Sequence, residues 1–310
     1  MRPGTGDSPP TYTRDVTSPR TFDVVVIGSA NLDLVANVGH LAEPGETVIA
    51  TGYAEHAGGK GLNQAVACRR SGARTAFIGC LGRDGAGDVL HRVLADEGIE
   101  NYTVDVSAPT GRALISVDDD AENSIVVVPG ANHRLGIGVV DDHRSVLSDT
   151  RVVLAQLEIP LDAVEAAFAV ARLAGAITIL NPAPAAALPP GLLSLCDVIV
   201  PNQTEVAQLG GTSALLDAGV STVVVTLGAR GIRVVTRDGA VEIPPYAVRA
   251  VDTTGAGDAA CGALAASLAA GSDVVTAARR AAAAGALAAT RHGAVPSLPT
   301  AEQIDTLVER

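Results

Sequence analysis

The chain has 310 residues, of which 47% are hydrophobic, 18% charged and only 2% aromatic, and its formal net charge is −12. That length and apolar content suit one large α/β domain, alone or with a small appendage, with a core packed from Ala, Val, Leu and Ile. The negative balance excludes the basic footprint of a nucleic-acid surface and a polybasic membrane patch, and no apolar run reaches the roughly 18 residues of a membrane span, so neither nucleic acid nor membrane is expected as a partner.

Residues 1–20 hold Pro3, Pro9, Pro10 and Pro19 among Gly, Thr, Ser and Asp, without the apolar centre of a signal peptide. They are expected to be a disordered tail, leaving 21–310 as the folded domain. FDVVVIGSA (22–30) is a short apolar run ending in small residues and reads as a buried strand. The stretch 32–59 alternates, is broken at Pro44-Gly45, and reads as paired strands. KGLNQAVACRRSGA (60–73) predicts a helix, TAFIGCLG (75–82) a strand, and DGAGDVLHRVLADEGI (84–99) a second helix. RALISVDDDAENSIVVVPGAN (112–132) predicts a hairpin with an acidic turn. From RVVLAQLE (151–158) onward strands and helices alternate through AVEAAFAVARLAG, AITILNPAP, CDVIVPNQTE and STVVVTLGARG. The chain closes with a helix opened by DTTGAGD and another over 276–291. This alternation implies a mostly parallel sheet with helices on both faces. The early antiparallel pieces, about 32–57 and 112–128, stand outside that rhythm and are expected to form a small separate sheet, a lid.

The four cysteines, Cys68, Cys80, Cys196 and Cys261, are scattered without a C-x-x-C pair, and the six histidines show no ligand spacing. The pattern is that of incidental buried thiols in a reduced, cytoplasmic protein, with no structural zinc site.

The segment VDTTGAGDAACGALAASLAAG (251–271) places Gly255, Ala256 and Gly257 before one acid, Asp258, at the mouth of an almost uncharged helix. Taken alone, the glycines read as turn punctuation and Asp258 as a first-turn acid favoured by the helix dipole. The alternative is an anion cradle, in which small residues let backbone N–H groups converge at a helix N-terminus. A carboxylate beside such a cradle suits phosphoryl transfer to a hydroxyl, because the acid takes the proton while the cradle holds the charge in transit.

With DTTGAGD (252–258), six further segments follow one another in order: GSANLD (28–33), GGKGLNQAVA (58–67), LNPAPA (180–185), PNQTE (201–205), TLGARG (226–231) and GAVPS (293–297). Together they resemble the ribokinase-like, or pfkB, carbohydrate kinases over roughly residues 22–308, and GGKGLNQAVA with LNPAPA is most similar to the ribokinase branch. The resemblance implies a three-layer α/β/α fold with a central mostly parallel sheet and a small β-sheet lid. It implies ATP-dependent phosphorylation of D-ribose at its 5-hydroxyl, with Mg²⁺ and a monovalent cation, K⁺, as cofactors. The exposed strand edges of the lid need cover, and pairing of its outer face with a second copy, a homodimer, is expected to supply it.

Residue by residue, the resemblance makes Asp258 the catalytic base and gives the N–H groups of Gly255, Ala256 and Gly257 the anion hole. Asn31 and Asp33, by themselves a pair of turn formers, become sugar contacts, Asp33 accepting from paired hydroxyls. Gly58, Gly59 and Gly61 would let the backbone approach the ligand, with Lys60 and Asn63 as donors to sugar oxygens and Glu158 as a further sugar contact. Asn202 and Glu205 are spaced as a plain helix cap; the resemblance has them hold Mg²⁺ through water. Thr226, Leu227, Gly228, Ala229, Arg230 and Gly231 form the nucleotide loop, with Gly257 and Asp258 facing the phosphates, and 276–291 would line the adenine side. Asp252, Thr254, Ala288, Arg291, Gly293 and Ser297 match the surroundings of the monovalent cation. One departure is a stretch between Glu205 and STVVVTLG that is shorter than usual by about one helix.

Other nucleotide folds are set aside, since G-x-x-x-x-G-K-[ST] is absent and no G-x-G-x-x-G follows VVVIG. A kinase of the same fold acting on deoxyribose, another sugar or a nucleoside is the enzymatic rival. With 4 Tyr and 3 Phe in the whole chain, stacking a nucleobase is disfavoured. A non-catalytic sugar sensor is the rival of another class, and it would need neither Asp258 nor the Asn202–Glu205 pair.

Overall fold

The computed structural model describes residues 19–120 and 122–310. The tail expected over 1–20 therefore lies almost wholly outside the described residues, as does Ala121 in the acidic turn.

The chain begins with strands β1 (Phe22–Ile27), β2 (Asn31–Asn37) and β3 (Gly52–Gly58) and helix α1 (Lys60–Arg70). Strand β4 (Thr75–Gly82), helix α2 (Gly85–Asp96) and strands β5 (Glu100–Val106), β6 (Gly111–Val117) and β7 (Asn123–Val128) follow. Helices α3 (Ile137–Asp142) and α4 (Arg144–Ser148) lead to β8 (Thr150–Ala155), α5 (Leu161–Leu173), β9 (Ile177–Leu180), α6 (Pro190–Leu195) and β10 (Val198–Ile199). The last part holds α7 (Gln203–Gln208), α8 (Gly211–Asp217), β11 (Thr222–Thr226), β12 (Ile232–Thr236), β13 (Gly239–Ile243), α9 (Ala256–Ala269), α10 (Val274–Ala288) and α11 (Ala301–Val308).

Nine strands form the central sheet in the order β13-β12-β11-β10-β9-β8-β1-β4-β5. It is parallel from β5 to β11, while β12 and β13 turn back as an antiparallel edge. Side chains alternate across the sheet, as strand geometry requires. Val24, Val26, Phe77, Leu81, Val152 and Leu154 face the layer of α1, α2, α9, α10 and α11. Val25, Ile27, Ile78, Val153 and Ala155 face the layer of α3, α4, α5, α6 and α8. The result is a three-layer α/β/α fold.

Helix α9 is bland because it is enclosed. Every residue from Asp258 to Ala269 is buried, and α1 and α10 pack against it. A Cβ on Gly262 would lie 2.8 Å from Cys68 N and closer still to Ala67 Cβ. Small residues thus set the spacing of the α1–α9–α10 layer, which fixes where the first turn of α9 stands.

The second sheet, in the order β3-β2-β6-β7, is built from two antiparallel hairpins. The hairpins join through a parallel β2–β6 pairing, so the small sheet is itself mixed. Strand–helix alternation alone misses β5, β12, β13, α3, α4, α6, α8 and α11. Strand β5 (ENYTVDV) is a sheet edge with mostly polar, part-exposed residues, so it carries no apolar run to mark it. The stretch between Glu205 and β11 is short but still holds α7 and α8.

Six residues lie level along one row of the central sheet: Ile78, Ile27, Ala155, Leu180, Ile199 and Val223. The residues just beyond that row on four of the strands, Gly28, Gln156, Asn181 and Val200, form the carboxyl edge on which the functional cleft is built. Clefts of open α/β sheets lie at this edge.

Candidate active site

The loop Ser29–Asn31 leaves β1 and meets the start of α1. A Cβ on Gly61 would lie 2.5 Å from Ser29 N, and one on Gly59 would lie 2.8 Å from Asn31 N. A side chain on Gly58 would occupy the place of the Asp33 carboxyl. These glycines therefore admit the protein's own backbone and the Asp33 side chain. Ser29 Oγ donates to Glu158 Oε2, which also accepts from Lys60 N at 3.1 Å. Glu158 thereby ties the end of β8 to the start of α1. Asn31 is buried and its Oδ1 accepts from Asn132 Nδ2 at 2.7 Å, while Asn132 Oδ1 accepts from Ala30 N at 3.0 Å. The Asn31 carbonyl is thus engaged within the protein.

Among the described residues the Asp33 carboxylate has no hydrogen-bond partner. Burial, reinforced by the charges of Glu158 and Asp258, pushes its pKa up to about 7. Lys60 is held above its usual value because Asp258 and Glu158 outweigh the burial that would depress it.

Gly255 caps α9 with φ 75°, a left-handed conformation open to glycine at little cost. The N–H groups of Gly255 and Gly257 have no acceptor among the described residues, as the start of a helix dictates. The N–H of Ala256 donates to Thr253 O at 3.2 Å. At the mouth of α9 the N–H groups of Gly255 and Gly257 are thus open, while that of Ala256, the third expected donor, is engaged in the turn beneath. Asp258, buried, accepts from Asn63 Nδ2 on Oδ2 and from Gln64 Nε2 on Oδ1, each at 2.9 Å. Asn63 therefore spends a donor on Asp258, while its own Oδ1 is buried and without a partner.

A cleft of about 200 Å³ is lined by Lys60, Asn181, Asn202, Glu205, Thr226, Gly255, Gly257 and Asp258, among others. Asn202 and Glu205 form the capping box of α7: Asn202 Oδ1 accepts from Glu205 N, and Glu205 Oε2 accepts from Asn202 N. The plain helix-cap role is thus real, and the pair still lines the cleft, with Glu205 Oε1 lacking a partner among the described residues. Burial raises the Glu205 pKa, partly offset by the Asn202 N–H and by Lys60. Thr226 ends β11 beside Asn202, and Leu227 N donates to Gly231 O at 2.9 Å, closing a tight loop. Gly228, Ala229 and Arg230 form one 3₁₀ turn of that loop, and Arg230 donates to Gln203 Oε1. Thr226 alone of these loop residues lines the cleft.

Asp252 joins two segments. Its Oδ1 accepts from Thr254 N at 2.9 Å and its Oδ2 from Gly293 N at 2.8 Å. Those bonds hold its carboxyl below the usual value against the opposing effect of burial. Ala288 O accepts from Arg291 N at 3.2 Å, and Ser297 Oγ donates to Ala294 O at 2.8 Å. Among the described residues no three His, Cys, Asp or Glu side chains cluster as metal ligands.

Gln64, Gln156 and Asn132 carry no role in the sequence reading, and Asn181 appears there only inside LNPAPA. Gln64 follows Asn63 directly, and its adjacency to a residue already singled out was the available signal.

A doubly wound sheet, an uncovered helix N-terminus and a braced carboxylate in one cleft define a phosphotransferase acting on a small hydroxylated molecule. The chain belongs to the pfkB family of carbohydrate kinases, which it matches over residues 21–301. It is 39% identical to the ribokinase of Haemophilus influenzae, over 90% of this chain and 96% of that one. It is 41% identical to a bifunctional ribokinase/ribose-5-phosphate isomerase A of Fructilactobacillus sanfranciscensis, matching 93% of this chain and spanning 56% of that protein. The structure of Arabidopsis thaliana ribokinase complexed with ribose and ATP superposes with a TM-score of 0.85 at 31% identity, covering 93% of this chain and 98% of that one.

Proposed function

We propose that this enzyme transfers the γ-phosphoryl group of ATP to the 5-hydroxyl of D-ribose, giving ribose 5-phosphate and ADP. The observation that carries the reading is Asp258: its carboxylate is held by two amide donors beside the open N–H groups of Gly255 and Gly257. As the sugar oxygen bonds to the γ-phosphorus and the bond to the ADP oxygen breaks, Asp258 takes the hydroxyl proton. Gly255 and Gly257 hold the charge on the group in transit, an effect typically worth roughly a hundredfold or more per donor. Asp33, Glu158 and the unpartnered Oδ1 of Asn63 accept from sugar hydroxyls, and the Lys60 ammonium balances the surrounding carboxylates.

Mg²⁺ fits the site, because one buried carboxylate with a free oxygen, Glu205, suits an ion that keeps most of its waters. Bound there with Asn202 nearby, it would neutralise phosphate charge. The oxygens of Asp252, Thr254, Ala288, Arg291, Gly293 and Ser297 suit K⁺, a hard monovalent ion, and the bridge from Asp252 to Thr254 and Gly293 is the supporting contact. Four buried free thiols fit a reducing, cytoplasmic setting, and no helix among the described residues is long and apolar enough to cross a membrane.

ADP release is measured with ribose, deoxyribose, other pentoses and nucleosides, in potassium and in sodium salts at constant ionic strength. Ribose is expected to give the highest kcat/KM, and potassium to raise the rate severalfold. A higher kcat/KM with another acceptor overturns the substrate, absence of ADP release overturns the reaction, and equal rates in both salts overturn the cation site. Asp258→Asn should lower kcat by roughly a hundredfold to ten-thousandfold, with ATP affinity kept.

A further inference from the structure

Asp258 is braced by a chain of buried amides that runs along the carboxyl edge of the sheet. Gln64, fully buried, donates from Nε2 to Asp258 Oδ1 at 2.9 Å and to Asn181 Oδ1 at 3.1 Å. Its Oε1 accepts from Gln156 Nε2 at 2.6 Å. Asn181 Nδ2 donates onward to Val200 O at 2.9 Å. Gln156, Asn181 and Val200 are the first residues beyond β8, β9 and β10, whose last residues pair in one row. Three adjacent strand ends therefore converge on one side chain.

The polarity of the chain follows from its end. An ionised carboxylate only accepts, so Gln64 must turn its NH₂ group toward Asp258 and its oxygen toward Gln156. Reversing Gln64 would set its oxygen against two acceptors, Asp258 and Asn181, and its NH₂ against that of Gln156. The amide therefore has one orientation. Asn63, the other donor to Asp258, has no such lock, and its Oδ1 is free. The same polarity leaves Gln156 Oε1 buried without a partner.

We infer that Gln64 is a positioning residue, whose amide, locked by Gln156 and Asn181, holds the Asp258 carboxylate at the angle at which it takes the proton. The inference rests on Asp258 being the base. The titratable groups that act on Asp258, Lys60 on α1, Asp33 on β2 and Cys261 on α9, make no hydrogen bond to Gln64, and Glu158 and Glu205 stand beside Lys60. Substituting Gln64 leaves all of them in place.

The test measures kcat, both KM values, Tm and the kcat–pH profile for Gln64→Met, Gln156→Met and Asp258→Asn, at saturating concentration of the sugar that turns over fastest. Gln64→Met keeps length and bulk but removes the donor. Its kcat should fall roughly tenfold to a hundredfold, the range of one hydrogen bond to a charged group, with the KM for ATP within about twofold. The acid limb of its kcat–pH profile should move to higher pH, since a carboxylate that has lost an N–H partner keeps its proton more readily. Gln156→Met leaves Gln64 in place but unlocks it, so a smaller fall with the same displacement of the acid limb is expected. A Gln64→Met enzyme with lowered Tm but unaltered kcat and acid limb overturns the inference. If that variant does not fold, an unaltered kcat in Gln156→Met overturns it. An active Asp258→Asn enzyme overturns the assignment of the base and this inference with it, whereas an inactive Asp258→Asn beside an unaffected Gln64→Met overturns this inference alone.

Discussion

Asp33 shows how a single side chain can tie substrate binding to pH. Its pKa of about 7 is set first by burial, then by Glu158 and Asp258. The group is raised above its unfolded value of 3.8, so between those two values the folded protein binds more protons than the unfolded chain. Stability therefore falls as pH rises through that window, and the cost is complete above about 7. Sugar hydroxyls donate to the ionised form, so binding should follow ionisation in the opposite sense. For a pKa of about 7 the ribose KM should be about tenfold higher at pH 6 than at pH 8, the ratio of ionised fractions. In Asp33→Asn the KM should be high and independent of pH over that range. A wild-type KM that is flat across it would mean that Asp33 does not accept from the sugar.

Helix α9 carries the base at its mouth, and its spacing from α1 decides where that carboxylate lies. Gly262→Ala tests the element. Alanine in place of glycine would favour a helix interior by up to about 1 kcal/mol. Here the new Cβ would crowd Ala67 and stand 2.8 Å from Cys68 N, which is backbone and yields little. Overpacking of that kind costs about 1–3 kcal/mol or more, so the clash should win and Tm should drop by several degrees. Asn63 and Gln64 lie on the α1 surface that braces α9, so kcat should fall as well. A Tm equal to or above wild type would show that the two helices separate freely, and that their spacing does not set the site.

At the scale of the molecule, the small sheet is what a lone copy would leave bare. Ile125, Val126, Val127 and Val128 are all exposed on β7, an edge strand, and Leu114 and Tyr53 are exposed on the same sheet. An apolar exposed edge invites pairing with another chain, and a second copy related by a twofold axis would cover it symmetrically. A homodimer is therefore the expected state in solution. Light scattering at micromolar concentration should give twice the chain mass, and Val126→Asp, opposite Leu114 in the β6–β7 pairing, should shift the mass toward that of one chain. A monomeric wild type would remove the dimer.

The local pattern of the sequence determined most of the elements. Short apolar runs define β1, β4, β8 and β11, the break at Pro44-Gly45 separates β2 from β3, and the glycines before Asp258 mark the mouth of α9. These signals are legible because each is a matter of neighbours in the chain: side-chain period, backbone freedom, capping. The edge strands β5 and β13 lacked them, since an edge needs less apolar surface, and β12 broke the strand–helix rhythm by following β11 directly as an antiparallel neighbour. Tertiary structure alone decided what each candidate touches. Asn63 and Gln64 meet Asp258 across 195 and 194 residues of chain, and the residues between give no sign of it. Asn31 spends its oxygen on Asn132, Ala256 its N–H on Thr253, and the glycines of GGKG make room for the Asp33 side chain and the protein's own backbone. Residue types announce which groups can donate or accept. Only the packing of α1 against α9, and of both on the sheet edge, settles which partner each one finds, because hydrogen bonds form between groups that the whole fold has already brought within about 3 Å.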